Sequence, residues 1–367
     1  MEFEHKPLSK LRVCGFRSIK DANLELKGIN VLLGTNGAGK SNLIAVFQLL
    51  SDSINGYLQV HTRERGGASR LLHFGRKQTE TLQLHLNFQE TNGYEIELKP
   101  DTEDAFFYSQ ETVWSWDRGK NSISLGTGQK ESRLAKPSET GVEIANHVLA
   151  RLKGARVYHF HDTSRSSPLK TKQTVADIEF LRPDGGNLAP FLYHLQENHR
   201  PNYDRILRTV RFVAPFIRDF RLKPDSQDLN SILLEWEHEQ SDAYFNASDL
   251  SDGTLRFICL ATLLLQPSPP SIIVMDEPEL GLHPTAIQVL VELFKEVSQR
   301  AQSSQLVVAT QSVTLVNQLE PGDIISTECR AGQSSFARLS TEKLESWLRD
   351  YTLGQLWEGD YFRSLSE

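Results

Sequence analysis

The chain has 367 residues, 39% of them hydrophobic and 24% charged, and a formal net charge of −7. That length can bury a large core, suits two lobes better than one, and carries an ordinary globular composition. No window approaches the run of about 18 apolar residues that a membrane helix needs, and the negative balance leaves any case for nucleic acid to local patches.

In chain order, Met1-Glu2-Phe3-Glu4-His5-Lys6 lacks the basic-then-apolar pattern of a secretory leader. Residues 11–20 and 22–26 alternate like two strands. The apolar run Ile29-Asn30-Val31-Leu32-Leu33 is a third strand, and it feeds Gly34-Thr35-Asn36-Gly37-Ala38-Gly39-Lys40-Ser41, a complete G-x-x-x-x-G-K-S phosphate loop. Glycines there let backbone N–H groups turn inward around phosphates. Lys40 can bridge the β- and γ-phosphates of ATP, and Ser41 can ligate Mg²⁺. Residues 41–50 continue as a helix whose positive end faces the anion, so Asn36, Gly37, Ala38, Gly39, Lys40, Ser41 and Asn42 are the expected nucleotide contacts.

Residues 61–77 hold Arg63, Arg65, Arg70, Arg76 and Lys77 against Glu64. Strands over 81–88 and 94–98 flank Asn92-Gly93, a strong hairpin signal. Residues 100–140 read as variable strands and loops, 141–152 as a helix, and 157–163 as a strand ending in polar residues. From 187 to 223 the pattern is helical, interrupted by Pro201 and Pro215. Its segment 202–223 has six basic residues, among them Arg205, Arg208 and Arg211, against two acids. Each basic cluster has two readings, a track for a phosphate backbone or a solvated face. Residues 231–236 are a strand. No heptad run occurs between 50 and 250, which excludes a long coiled coil, and no internal repeat is visible.

Leu250-Ser251-Asp252-Gly253-Thr254 opens an apolar helix over 255–265, and serine with glycine at a helix start makes a second anion site. One γ-phosphate has no use for two such sites in one chain, so Ser251, Asp252 and Gly253 point to a second chain. Ile272-Ile273-Val274-Met275-Asp276-Glu277-Pro278 is a buried strand with two acids at its carboxyl end. Asp276 is the expected metal-side carboxylate and Glu277 the general base for water. Cys14, Cys259 and Cys329 lack metal-ligand spacing; the first two lie in apolar patterns and read as core thiols of a cytoplasmic protein.

Leu-Ser-Asp-Gly-Thr resembles the signature motif of ABC-type ATPases. Asp276-Glu277-Pro278-Glu279-Leu280-Gly281-Leu282-His283-Pro284 and the strand Leu306-Val307-Val308-Ala309-Thr310-Gln311-Ser312 resemble the D-loop and switch strand of the RecF/OLD-like, SMC-related branch. Residues 15–20, Gly-Phe-Arg-Ser-Ile-Lys, resemble the opening of RecF-type heads, where Arg17 either approaches the nucleotide or is a solvated strand residue. Transporter ATPases carry His where this chain has Gln311, whose amide can hydrogen-bond phosphate or water but carries no charge. In such heads a glutamine reaches Mg²⁺, for which Gln89 is the nearby candidate. The stretch 158–163 resembles a return of the chain to the head, with a supporting role for His161 and Asp162. Metal ligation by His159 and His161 lacks a nameable third ligand.

The resemblance implies an α/β fold, an ABC-type P-loop head with an inserted, mainly helical lobe. The expected division is 1–100 and 226–340 for the head, 101–225 for the inserted lobe and 341–367 for a tail. It also implies two chains sandwiching ATP and Mg²⁺ as a homodimer or higher oligomer, with no membrane partner. Resembling ATPases act in anti-phage defence with a separately encoded effector, a Toprim-like or HNH nuclease or a toxin. Residues 311–367 are too few and their acids too scattered for a fused Toprim nuclease. A RecF-like DNA-repair ATPase is the alternative.

Overall fold

The computed structural model describes residues 7–89, 91–116, 120–136, 143–300, 304–359 and 361–362. The leader reading of residues 1–6 and the expected helix start at Gly141 lie outside them. The chain forms two compact units, residues 1–157, 270–274 and 301–367 in the first and 158–269 and 275–300 in the second.

The first unit opens with β1 (Leu8–Phe16) and β2 (Ile19–Glu25), then β3 (Ile29–Leu33), α1 (Lys40–Ile54), α2 (Leu58–Glu64) and α3 (Ala68–Leu71). β4 (Leu82–Phe88), β5 (Asn92–Pro100), β6 (Phe106–Trp116) and β7 (Lys120–Gly126) follow, then α4 (Glu143–Lys153) and β8 (Ala155–Tyr158). β2-β1-β4-β5-β6-β7 is one antiparallel sheet. Alternation dictates its sidedness: in β4, Leu82, Leu84, Leu86 and Phe88 are buried and the residues between them are not. The strands β6 and β7 of segment 101–126 therefore extend the N-terminal sheet and do not belong to a separate lobe beginning at 101.

The hairpin between β4 and β5 forms, but Asn92-Gly93 is not its turn. Both residues are already in the ladder, opposite Phe88 and Asn87, so the reversal comes before Asn92. A Cβ on Gly93 would meet the Trp114 ring at 2.4 Å and Leu86 O at 2.3 Å. The glycine makes room for a neighbouring strand's indole, a long-range demand that the dipeptide does not reveal.

The second unit carries β9 (Gln173–Thr174), α5 (Leu188–Asn198), α6 (Arg200–Val213), β10 (Ile217–Arg221), β11 (Ser231–Ile232), β12 (Glu235–His238), β13 (Tyr244–Asn246) and α7 (Asp252–Leu265). Pro201 sits in the first turn of α6, where its missing N–H costs nothing. Beyond Pro215 the expected helix gives way to β10, because pairing with β12 buries Ile217 and Phe220. The expected strand 231–236 is likewise split between β11, paired with β9, and β12. Cys259 is buried in α7, whereas Cys14 is only half-buried and its thiol donates to Asp21 Oδ1 at 3.2 Å. Burial first, and then Asp21, push the Cys14 thiol up to about 11.

β14 (Ile272–Asp276) leaves the first unit after Val274 and carries its two last residues into the second, which continues with α8 (Pro284–Gln299). The first unit is completed by β15 (Gln305–Thr310), α9 (Val313–Val316), β16 (Ile324–Arg330), β17 (Gln333–Arg338), α10 (Thr341–Leu344) and α11 (Leu353–Glu358). Its second sheet has the order β17-β16-β3-β15-β14-β8. β3 and β15 are parallel and every residue of both is buried, which is why each reads as a mainly apolar run; the buried Asn30 of β3 donates to Leu306 O of β15 at 3.0 Å. Parallel strands present their carboxyl ends on one edge, so β3 delivers the phosphate loop where β15 delivers Gln311.

Candidate functional site

In the first unit the phosphate loop follows β3 and closes into α1, whose N-cap is Gly39 at φ 110°. Gly37 is also left-handed, at φ 79°. A Cβ on Gly34 would meet Thr327 O at 2.3 Å, and one on Gly39 would meet Ser334 Oγ at 2.0 Å. These positions need glycine for conformation or for the close approach of β16 and β17 behind the loop. Lys40 is buried, and its ammonium donates to Gly34 O at 2.6 Å and Thr35 O at 3.1 Å. A cation held against its own loop's carbonyls is placed to meet an anion seated on that loop, and the residues fit a triphosphate.

Several partners of this loop are distant from it in the chain. Ser334 donates to Ala38 O at 2.8 Å and shares a 2.7 Å hydrogen bond with Ser18, which accepts from Asn42 Nδ2 at 2.6 Å. Arg17, at φ 47°, donates to Asn42 Oδ1 at 3.4 Å. Burial first, and then the charge of Arg65, lower its pKa. Gln311 Nε2 donates to Asn36 Oδ1 at 2.8 Å, so switch strand and phosphate loop are joined directly. Gln89 is elsewhere: it is exposed in the β4–β5 turn, where its N–H donates to Ser9 Oγ.

The second unit gathers the other motifs. Ser251 is the N-cap of α7 and its Oγ accepts from Thr254 N at 3.1 Å. Asp252 lies 3.4 Å from Lys170. Gly253 is required by packing, since a Cβ there would meet Gly281 O at 2.2 Å. Arg256, one turn on, donates to Leu280 O at 2.7 Å, to Phe160 O at 3.1 Å and to His161 O at 2.9 Å. The signature helix is thus bound to the loop after the acids and to the segment that follows β8. This arginine was missed in the sequence, although it lies two residues beyond the motif. Asp276 and Glu277 line one small cavity with Tyr158, Phe160, His161 and Arg256. Glu277 sits at φ 43°, a conformation a non-glycine residue adopts at a cost of about 1–3 kcal/mol and mostly at functional sites. His283 caps α8 by accepting from Thr285 N at 3.3 Å.

The expected strand 157–163 ends at Tyr158, because His159 N–H turns to Pro183 O and Arg256 takes the next two carbonyls. His159 and His161 lie with ring centroids 6.2 Å apart. Among the described residues no group of three or more His, Cys, Asp and Glu side chains is arranged to hold a metal.

The two basic clusters differ. In α6 and β10, Arg205 pairs with Glu296, Arg211 lies 3.5 Å from Glu239 and Arg218 lies 2.8 Å from Glu237; Arg208 is exposed. Arg63, Arg65, Arg70, Arg76 and Lys77 are exposed and make no ion pair among the described residues. No helix among the described residues is long and apolar enough to cross a membrane.

A phosphate loop after a buried parallel strand, with an acid-tipped strand in the same sheet, gives the fold of an ABC-type P-loop head. The sequence matches, over residues 29–317, the family described as "AAA domain, putative AbiEii toxin, Type IV TA system", and the chain belongs to that family. No curated protein matches it in sequence. The fold is similar to that of an Smc head bound to the C-terminal winged-helix domain of ScpA, at 18% identity and a TM-score of 0.62, over 93% of this chain and 99% of that one. It is also similar to an Smc head with an extended coiled coil bound to the C-terminal domain of ScpA, derived from Pyrococcus furiosus. That match has 17% identity and a TM-score of 0.56, over 94% and 99% of the two chains.

Proposed function

We propose that the protein is a nucleotide-switched dimer in which each chain completes the ATP site of the other. The observation that carries this is the serine-capped α7, which presents a second anion site besides the phosphate loop. Asn36 to Asn42 hold the triphosphate, Ser41 and Asp276 hold Mg²⁺, Glu277 takes the proton from water, and Gln311 contacts the γ-phosphate or its water. Ser251, Asp252 and Gly253 meet the partner's γ-phosphate. Hydrolysis opens the pair and releases a separately encoded effector, a Toprim-like or HNH nuclease or a toxin, in anti-phage defence. A family description that names a toxin–antitoxin system supports this over the RecF-like repair reading.

Mixing chains tests the sandwich. Lys40→Ala and Ser251→Arg proteins should each be inactive alone, and a mixed dimer should regain partial activity. It contains one intact composite site and one doubly damaged site. No recovery despite proven mixing would place catalysis within a single chain.

A second reading, direct contact with DNA, is favoured at 61–77 by its unpaired cations. We propose that this cluster, and not Arg205, Arg208 and Arg211, meets the phosphate backbone. Charge reversal at Arg63, Arg76 and Lys77 should weaken duplex binding and flatten its log–log salt dependence by about 0.9 per lost phosphate contact. Reversal at Arg205, Arg208 and Arg211 should leave binding within about twofold, since most of those charges are already balanced. Equal losses from both triples would return the 61–77 cluster to the solvated-face reading.

A further inference from the structure

The cavity at the acid end of β14 has a volume of about 10 Å³, room for one water molecule. Its polar wall is made by Asp276, Glu277, His161 and Arg256, and its apolar wall includes Tyr158 and Phe160. The guanidinium of Arg256 is occupied by three carbonyl groups, those of Phe160, His161 and Leu280. The backbone of 159–161 is held on its other side by the bond from His159 N–H to Pro183 O at 2.9 Å. The His161 imidazole, by contrast, has no hydrogen-bond partner among the described residues. A half-buried ring, on backbone fixed by three hydrogen bonds and lining the same water-sized space as two carboxylates, is set to hold that water.

We propose that His161 is a positioning residue that orients the water activated by Glu277. The inference rests on the reading of Glu277 as the base. One O–H of the water points to the Glu277 carboxylate and the other to the acceptor nitrogen of the neutral imidazole, which leaves an oxygen lone pair for phosphorus. As the new P–O bond forms, the bond from the γ-phosphorus to the bridging oxygen of ADP breaks. The water's proton passes to Glu277 and then to solvent. The imidazole finishes in the protonation state in which it began, so it aims the nucleophile without itself taking the proton. Arg256 acts one step further back, by fixing the backbone that carries the ring.

The test uses the intact protein and measures ATPase kinetics, ATP affinity and melting temperature for His161→Ala, His161→Gln and Glu277→Gln. His161→Ala should lower kcat about 10- to 100-fold through lost orientation, with KM and ATP affinity within about twofold. His161→Gln, whose amide oxygen can accept from the same water, should recover most of that loss. Should the alanine variant fail to fold, His161→Phe keeps the ring without an acceptor and carries the same expectation. An unchanged kcat in the alanine or phenylalanine variant overturns the proposal, and so does a loss that glutamine does not rescue. If Glu277→Gln is inactive while His161→Ala is parental, only the role of His161 falls. If Glu277→Gln turns over at the parental rate, the base assignment falls first and this proposal with it.

Discussion

Lys40→Ala should abolish measurable ATP binding. The ammonium is the cation of the loop itself, and two or three charge-assisted hydrogen bonds to phosphate, each contributing about 1.5–3 kcal/mol, go with it. That amounts to a loss of at least about a hundredfold in affinity. Stability needs separate attention, because Lys40 is buried and satisfies the carbonyls of Gly34 and Thr35. Removing it leaves both without that partner, at about 1–3 kcal/mol each where water cannot replace it. Lys40→Met, which keeps the apolar stem, separates the two effects: it should bind ATP as poorly as alanine while melting closer to the parent. Calorimetric titration with ATP and Mg²⁺ gives the first quantity and thermal unfolding the second. Tight binding by either variant would remove the loop from the nucleotide site.

The parts legible in the sequence were those fixed by local geometry. The phosphate loop could be read because its glycines answer to backbone dihedral angles within eight residues, as the left-handed Gly37 and Gly39 show. β3 and β15 could be read because burial on both faces leaves a mainly apolar run, broken within β3 by Asn30 alone. Ser251 could be read as a helix cap because capping needs only the next turn. What was misread depends on partners distant in the chain. β10 looks helical from its own residues, and it is a strand because β12 supplies its hydrogen bonds. Gly93 looks like a turn residue, and Trp114 is the reason for it. The brace behind the phosphate loop joins Ser18 to Ser334 across 316 positions, and although Ser18 lies in the stretch that resembles the opening of RecF-type heads, nothing there points to Ser334. Arg256 lay in plain view two residues beyond the signature threonine, but its three acceptors are main-chain carbonyls, which no side-chain pattern records.

Glu277→Gln should leave ATP bound and stop its turnover. The amide matches the carboxylate in size and keeps the same backbone, so the strained φ of 43° and the contacts of the side chain's stem are unchanged by the exchange. What changes is proton affinity, since an amide oxygen does not accept a proton from water near neutral pH. General-base catalysis contributes about 10²- to 10⁴-fold, and kcat should fall by that factor while ATP affinity holds within about threefold. The same variant reports on the switch. If ATP pairs the heads and hydrolysis parts them, a chain that binds without hydrolysing must accumulate in the paired state. Light scattering should then show a dimer that ATP forms and ADP does not, stable for as long as the triphosphate persists. In the parent the same species should decay at the turnover rate. Turnover at the parental rate in the glutamine variant would send the search for a base to another residue. A silent variant that shows the same mass with ATP as with ADP would keep Glu277 as the base and remove nucleotide-driven pairing.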